Sequence, residues 1–224
     1  MHNYPKSLIV GSTGLVGSLL LKDLGTKDGS ILLISRRENE YLPQNASEII
    51  INFDDLLCRN IELKEEVDHV YICLGKKLST YELGYMPQEN RESFQKIDLE
   101  YCLAAAELGF DKGAKSIAIV SAIGAEEDSF NFYFHIKGKL ENSIKKIGYE
   151  NICIARPGHL LGNRKDFRGY EIPILEGALR LASPIMQGPL KNFRQVEASK
   201  VAKKMVEVTR EMDGFSILSY DDFV

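Results

Sequence analysis

The chain has 224 residues, 44% apolar and 27% charged, the balance of a folded globular protein, and its length suits one α/β domain with an ordinary core. Its 28 basic and 32 acidic residues leave a formal charge of −4. With no Lys/Arg block able to neutralise a run of phosphates, nucleic acid is not an expected partner. The cysteines Cys58, Cys73, Cys102 and Cys153 and the histidines His2, His69, His135 and His159 form no C-x-x-C pair and show no ligand spacing, so no metal site and no disulfide framework are expected.

The longest uncharged stretch, Ser7 to Leu21, is too short to span a bilayer and has two readings. It resembles the apolar region of a signal peptide, or it is a buried strand, a glycine turn and a helix. After the run Ser7-Leu-Ile-Val, the residues Val16, Leu19, Leu20 and Leu24 recur at helical spacing until Gly25. The second reading is preferred because excision would delete a central strand. A cytoplasmic protein without a membrane segment is therefore expected.

Four further features repeat the pattern. Ile31–Ser35, Glu48–Asn52 and His69–Leu74 are short apolar runs, and Phe94, Ile97, Tyr101, Ala105 and Leu108 form a helical stripe that Gly109 is placed to cap. Lys115–Ser121 is a fifth strand. A second long helix covers Phe132–Ile147 and ends at Gly148, and Asn151–Ala155 is a sixth strand stopped by Pro157-Gly158. Beyond it lies a Gly/Pro-punctuated stretch with a helix near 174–181, then a final helix presenting Val201, Met205, Val208 and Met212 on one face. Runs that are apolar on both faces and alternate with helices predict a three-layer, doubly wound parallel sheet. Residues 1–224 would form one nucleotide-binding domain, with 158–195 as an irregular substrate-side segment and a small C-terminal substrate cap.

Gly11-Ser12-Thr13-Gly14-Leu15-Val16-Gly17 lies at the first strand-to-helix turn. Glycines there permit a sharp turn and let backbone amides approach a pyrophosphate, with the helix N-terminus adding partial positive charge. No Gly-Lys-Ser/Thr ending is present, which excludes a P-loop. At the end of the second strand, where a carboxylate would select NAD, the chain has Arg36-Arg37. Guanidinium groups suit a 2′-phosphate, so NADP(H) is the first-choice cofactor and NAD(H) the second. With Glu38 and Glu40 so close, a mixed-charge surface turn is the other reading. Asp54 either meets the adenine amino group or caps a helix.

Tyr133 and Lys137 stand four residues apart on one helix face, a common spacing that gains weight from position. They open the helix that follows the fifth strand, whose carboxyl end is Ser121, so the three can converge beside a nicotinamide. Carbonyl reduction requires a proton at the oxygen. A neighbouring ammonium lowers the tyrosine pKa from near 10, fitting Tyr133 as general acid, with Lys137 tuning it and Ser121 orienting the substrate oxygen.

In the segments Gly11–Gly17, Ile31–Arg37, Cys73–Gly75, Val120–Ser121, Asn131–Gly138 and Arg156–Leu161 the chain resembles the short-chain dehydrogenase/reductases, and among them the atypical NADP(H)-binding members related to the Tat-interacting protein. The resemblance implies a Rossmann fold, cofactor contacts from Ser12 to Val16, Leu74 and Gly75 beside the adenosine ribose, and Pro157, Gly158 and His159 against the nicotinamide carboxamide. It also makes a homodimer through the two long helices the usual assembly. Asp98 stands where many members carry asparagine.

The expected activity is NADPH-dependent hydride transfer to a small carbonyl substrate, or the reverse from an alcohol. The alternative is a non-catalytic NADP(H)-binding sensor or regulatory partner, and a sugar-nucleotide epimerase or dehydratase is third. His135 is expected on the helix surface or in the core, Cys73 and Cys153 in the core, and Glu126-Glu127-Asp128 at a helix start.

Overall fold

The computed structural model describes residues 5–162, 188–211 and 213–224. The helix expected near 174–181 and the position of Met212 lie outside these residues. Seven parallel strands form one sheet: β1 (Lys6–Val10), β2 (Ser30–Ser35), β3 (Ala46–Ile50), β4 (His69–Ile72), β5 (Ser116–Val120), β6 (Asn151–Ala155) and β9 (Phe215–Leu218). Their order is β3-β2-β1-β4-β5-β6-β9. The first six follow the doubly wound order, in which the chain reverses direction of growth beside β1 and leaves a crevice at the strands' carboxyl ends. A two-stranded sheet pairs β7 (Leu160–Leu161) with β8 (Val196–Glu197).

Helices cover both faces. On one, α1 (Leu15–Gly25) packs against α7 (Ala198–Glu211) over Ile9, Leu33, Tyr71 and Met205. On the other lie α2 (Asp54–Leu57), α3 (Thr80–Gly84), α4 (Gln88–Gln95), α5 (Tyr101–Asp111) and α6 (Phe132–Ile147). Leu8, Val70, Phe94, Ile117 and Ile144 fill that core without measurable exposure. Strands with apolar side chains on both faces thus sit between two helical layers, as their composition requires.

Four local departures from the sequence reading have physical causes. Gly109 is inside α5 and does not cap it. A Cβ there would lie 2.3 Å from Val70 Cγ2, so the missing side chain lets the helix close on β4. β3 is an edge strand with Ile50 49% exposed, and it starts two residues earlier than the apolar run suggests. Glu126–Asp128 lie in the loop before α6, whose N-cap is Asn131: its side chain accepts from the Tyr133 and Phe134 amides at 2.9 and 3.3 Å. β9 was not expected at all.

Between α4 and α5 the helix widens to a π segment, Lys96–Glu100. One extra residue in the turn rotates the following positions and carries Asp98 into the interior, where it is 2% exposed. Such insertions occur often at functional sites.

Candidate functional site

The glycine turn begins where β1 ends. Gly11 has φ +95°, and a Cβ there would stand 2.7 Å from the Cys73 carbonyl carbon, so only glycine allows this conformation and the approach of the β4 end. Gly17 meets the Gly11 carbonyl oxygen; an added Cβ would be 2.2 Å from it. The start of α1 has Gly14 as N-cap, no side-chain cap and no acidic residue in its first turn. Helix N–H groups with no internal acceptor, at the crevice end of β1, are a donor set suited to an anion.

Ser12 of this turn is buried and shares a hydroxyl contact of 3.1 Å with Ser35, the last residue of β2. Asn39 reaches back between them, its amide nitrogen 2.9 Å from Ser12 Oγ and 3.1 Å from Ser35 Oγ. Arg36 and Arg37 follow β2 on the surface, and the Arg36 guanidinium lies 5.4 Å from the Phe53 ring centroid. Asp54 is the first residue of α2, with Phe53 at the cap position. It accepts from Tyr101 Oη at 2.8 Å and pairs with Lys96 Nζ at 2.7 Å. The Lys96 and Tyr101 hydrogen bonds hold its carboxyl below the usual range.

The second half of the site centres on the buried ion pair between Lys137 and Asp98, 2.8 Å apart, with side chains 5% and 2% exposed. Asp98 also accepts the Lys76 amide at 2.7 Å. The π segment, α6 and the Leu74-Gly75-Lys76 turn after β4 therefore meet at one carboxylate. Burial is the largest single influence and opposes the Lys137 charge, but the Asp98 carboxylate together with Tyr133 and Cys102 outweighs it and holds the ammonium above its ordinary pKa. Tyr133, one helical turn earlier, packs on Phe94 with ring centroids 5.6 Å apart. Burial raises its phenol pKa, Lys137 lowers it and Asp98 raises it, with a net upward shift. The lowering expected from the neighbouring ammonium is therefore reversed: burial and the Asp98 carboxylate outweigh Lys137, and the phenol holds its proton more tightly than a free tyrosine. Burial likewise pushes the Cys73 and Cys102 thiols up to about 12, which leaves them unreactive packing groups.

Ser121 is placed differently from the sequence expectation. Its hydroxyl donates to Glu141 Oε1 at 2.5 Å, one turn beyond Lys137 along α6, and Glu141 is clasped by Arg156 at 2.9 Å (Nε) and 2.5 Å (Nη2). Glu141 is 1% exposed. This buried network fixes the loops after β5 and β6 to α6 and takes up the hydroxyl assigned to the substrate oxygen. Hydrogen bonding to Glu141, against the cost of burial, raises the Arg156 pKa. Neither Glu141 nor Arg156 was singled out from sequence; the available signals were a carboxylate on the apolar face of α6 and an arginine directly after a buried strand.

After β6, Pro157 accepts the Ile123 amide at 3.2 Å and His159 accepts the Val196 amide at 2.9 Å. A Cβ on Gly158 would lie 2.6 Å from the Arg194 carbonyl oxygen. Pro157-Gly158-His159 is thereby clamped at the carboxyl end of the sheet beside the Ser121 loop. His135 Nδ1 instead contacts the Glu127 carbonyl at 2.5 Å. Among the described residues no cluster of His, Cys, Asp or Glu could hold a metal ion, and no helix is long and apolar enough to cross a membrane.

No protein-family model matches the chain. It is 31% identical over 202 residues to "Protein FMP52, mitochondrial" of Meyerozyma guilliermondii, covering 88% of this chain and 83% of that protein. It is 26% identical over 168 residues to HTATIP2, the Tat-interacting protein, of Rattus norvegicus, covering 73% of this chain and 66% of that one. Among solved structures, the UDP-glucose 4-epimerase of Thermotoga maritima with UDP-glucose superposes with TM-score 0.68 at 15% identity, over 96% of this chain and 76% of that one. The human epimerase family protein SDR39U1 with NADPH superposes with TM-score 0.61 at 16% identity, over 96% and 74%. The Rossmann fold and the kinship with the Tat-interacting group stand. The cytoplasmic expectation is overturned, since the FMP52 relatives carry "mitochondrial" in their names.

Proposed function

The chain belongs to the family of the FMP52 proteins, within the atypical short-chain dehydrogenase/reductases, and from that footing we propose that it is an NADP(H)-dependent oxidoreductase acting on a small carbonyl or alcohol substrate. The observation that carries this reading is the buried, charged Lys137 one helical turn after Tyr133 at the crevice end of the sheet. A bound nicotinamide would supply or take the hydride. The remaining work falls to side chains of this protein.

The uncapped start of α1 and the backbone from Ser12 to Gly17 would hold the pyrophosphate, Arg36 and Arg37 would meet the 2′-phosphate, and Leu74, Gly75, Pro157, Gly158 and His159 would line the rest of the crevice. Tyr133 Oη delivers the proton to the substrate oxygen in reduction and removes it in oxidation. Lys137 keeps two ammonium protons beyond the one directed at Asp98, enough to hold a ribose hydroxyl and electrostatically support the phenolate left after transfer. Ser121, through Glu141 and Arg156, positions the loop rather than the substrate. The net raised Tyr133 pKa keeps the phenol in its acid form at neutral pH, the form that donates the proton in reduction.

The arginine pair gives a separable test. Replacing Arg36 and Arg37 together by alanine is expected to weaken NADPH at least tenfold more than NADH in calorimetric titration, one such charge-assisted contact being worth about 1.5–3 kcal/mol. Equal loss for both cofactors would remove the arginines from the 2′-phosphate.

A second reading, a cofactor-binding regulator without turnover, is favoured by the capture of the Ser121 hydroxyl by Glu141. It predicts partner capture only with NADP(H) present, and no activity on a broad carbonyl panel.

A further inference from the structure

The side-chain cluster that joins the glycine turn to the end of β2 contains a carboxylate of the protein's own. Asn39 directs two N–H groups at Glu48 of β3: its backbone amide donates to Glu48 Oε2 at 3.2 Å, and its side-chain amide donates to Glu48 Oε1 in a short contact. That same side-chain nitrogen faces Ser12 Oγ and Ser35 Oγ. An amide nitrogen carries two protons and here meets three acceptors, so the set has one acceptor too many. The Ser12 and Ser35 hydroxyls can turn from acceptor to donor at no cost in geometry. Glu48 cannot do so as a carboxylate.

The Asn39 N–H groups and the two buried serine hydroxyls thus form a donor cluster at the end of β2, directly before Arg36 and Arg37, and Glu48 is the anion it holds. In doubly wound nucleotide-binding domains the end of the second strand is where the adenosine ribose is read, by a carboxylate for a 2′-hydroxyl or by cations for a 2′-phosphate. This chain carries both elements side by side.

We propose that Glu48 is a resident anion on the Asn39 donor pair, competing with the 2′-phosphate of NADP(H) while accepting the 2′-hydroxyl of NAD(H), so that the Asn39–Glu48 pair sets cofactor preference against the arginines. The inference rests on the nicotinamide dinucleotide reading above. When a phosphate enters, Asn39 N–H groups pass from Glu48 to the phosphate oxygens, and the serine hydroxyls turn to donate. Glu48 must then swing toward solvent, which its half-buried position on an edge strand permits.

The test is calorimetric titration of the intact chain and of Glu48→Gln with NADPH and with NADH. Glu48→Gln keeps the shape and removes the charge, and it is expected to tighten NADPH by about tenfold while leaving NADH unchanged or weaker. Glu48→Ala serves as the second variant, and must move the NADPH:NADH ratio in the same direction; thermal unfolding verifies that each variant is folded. Identical shifts for both cofactors, or no shift in either, would overturn the role of Glu48 while leaving the cofactor reading intact. Failure of the unaltered chain to bind either cofactor would overturn the cofactor reading and this inference together.

Discussion

Tyr133→Phe is expected to lower NADPH-dependent carbonyl reduction by about 10²–10⁴-fold, the usual worth of a positioned general acid. NADPH affinity should be retained, because the hydroxyl it removes lies outside the cofactor contacts assigned above. The phenylalanine ring preserves packing on Phe94 and Phe134, whose ring centroids lie 5.6 and 5.3 Å from that of Tyr133, so stability should change little. Steady-state turnover together with cofactor titration separates the outcomes. Full turnover in the variant would take the proton from some other group, whereas joint loss of turnover and binding would indicate a damaged fold.

Asp98→Ala should be the most destabilising single change at the site. It leaves the Lys137 ammonium buried with no carboxylate, and breaking a buried pair from one side costs about 3–5 kcal/mol. At roughly 2–4 °C per kcal/mol for a chain of this size, the melting temperature should fall by about 10 °C. The sign of the pH dependence follows from Lys137. In the intact protein its folded pKa lies above the ordinary 10.5, so the pair's contribution is fully present below that value and is lost only as pH rises through the folded pKa. Without Asp98, burial is the dominant influence and depresses the folded pKa below the ordinary value. The variant's deficit is then greatest at neutral pH and shrinks as pH rises toward the unfolded lysine value. Adding Lys137→Met to Asp98→Ala removes the stranded charge and should recover much of the loss. A deficit independent of pH, or no recovery in the double variant, would contradict an ionised pair.

The sheet was legible in the sequence where its physics is simplest. β1, β2, β4, β5 and β6 have side chains buried on both faces and stood out as continuous apolar runs. β9 escaped notice because it is a short edge strand, with Phe215 50% and Ile217 41% exposed, and edge strands lack the two-sided apolar signal. β3 shares that weakness, and its start was misplaced accordingly. The π segment could not be read from a 3.6-residue period, because the added residue breaks that period at Asp98.

The same contrast runs through the site. The glycine turn is set by local geometry, and its position between strand and helix could be read directly. Lys137 and Tyr133 share a helix face for the same local reason. Ser121 was assigned by chain position alone, and only the folded chain brings Glu141 and Arg156 to its hydroxyl. Asn39 and Glu48 lie nine positions apart on a loop and an edge strand, with no periodicity connecting them. Side-chain commitments that join distant elements decide which groups remain available for chemistry.

The most direct measurement of the central claim is calorimetric titration of the intact chain with NADPH. Saturable binding of one NADPH per chain is expected, abolished by Gly14→Asp, which places a carboxylate at the N-cap of α1. Absence of binding heat with a folded protein, or equal binding by that variant, would contradict the claim.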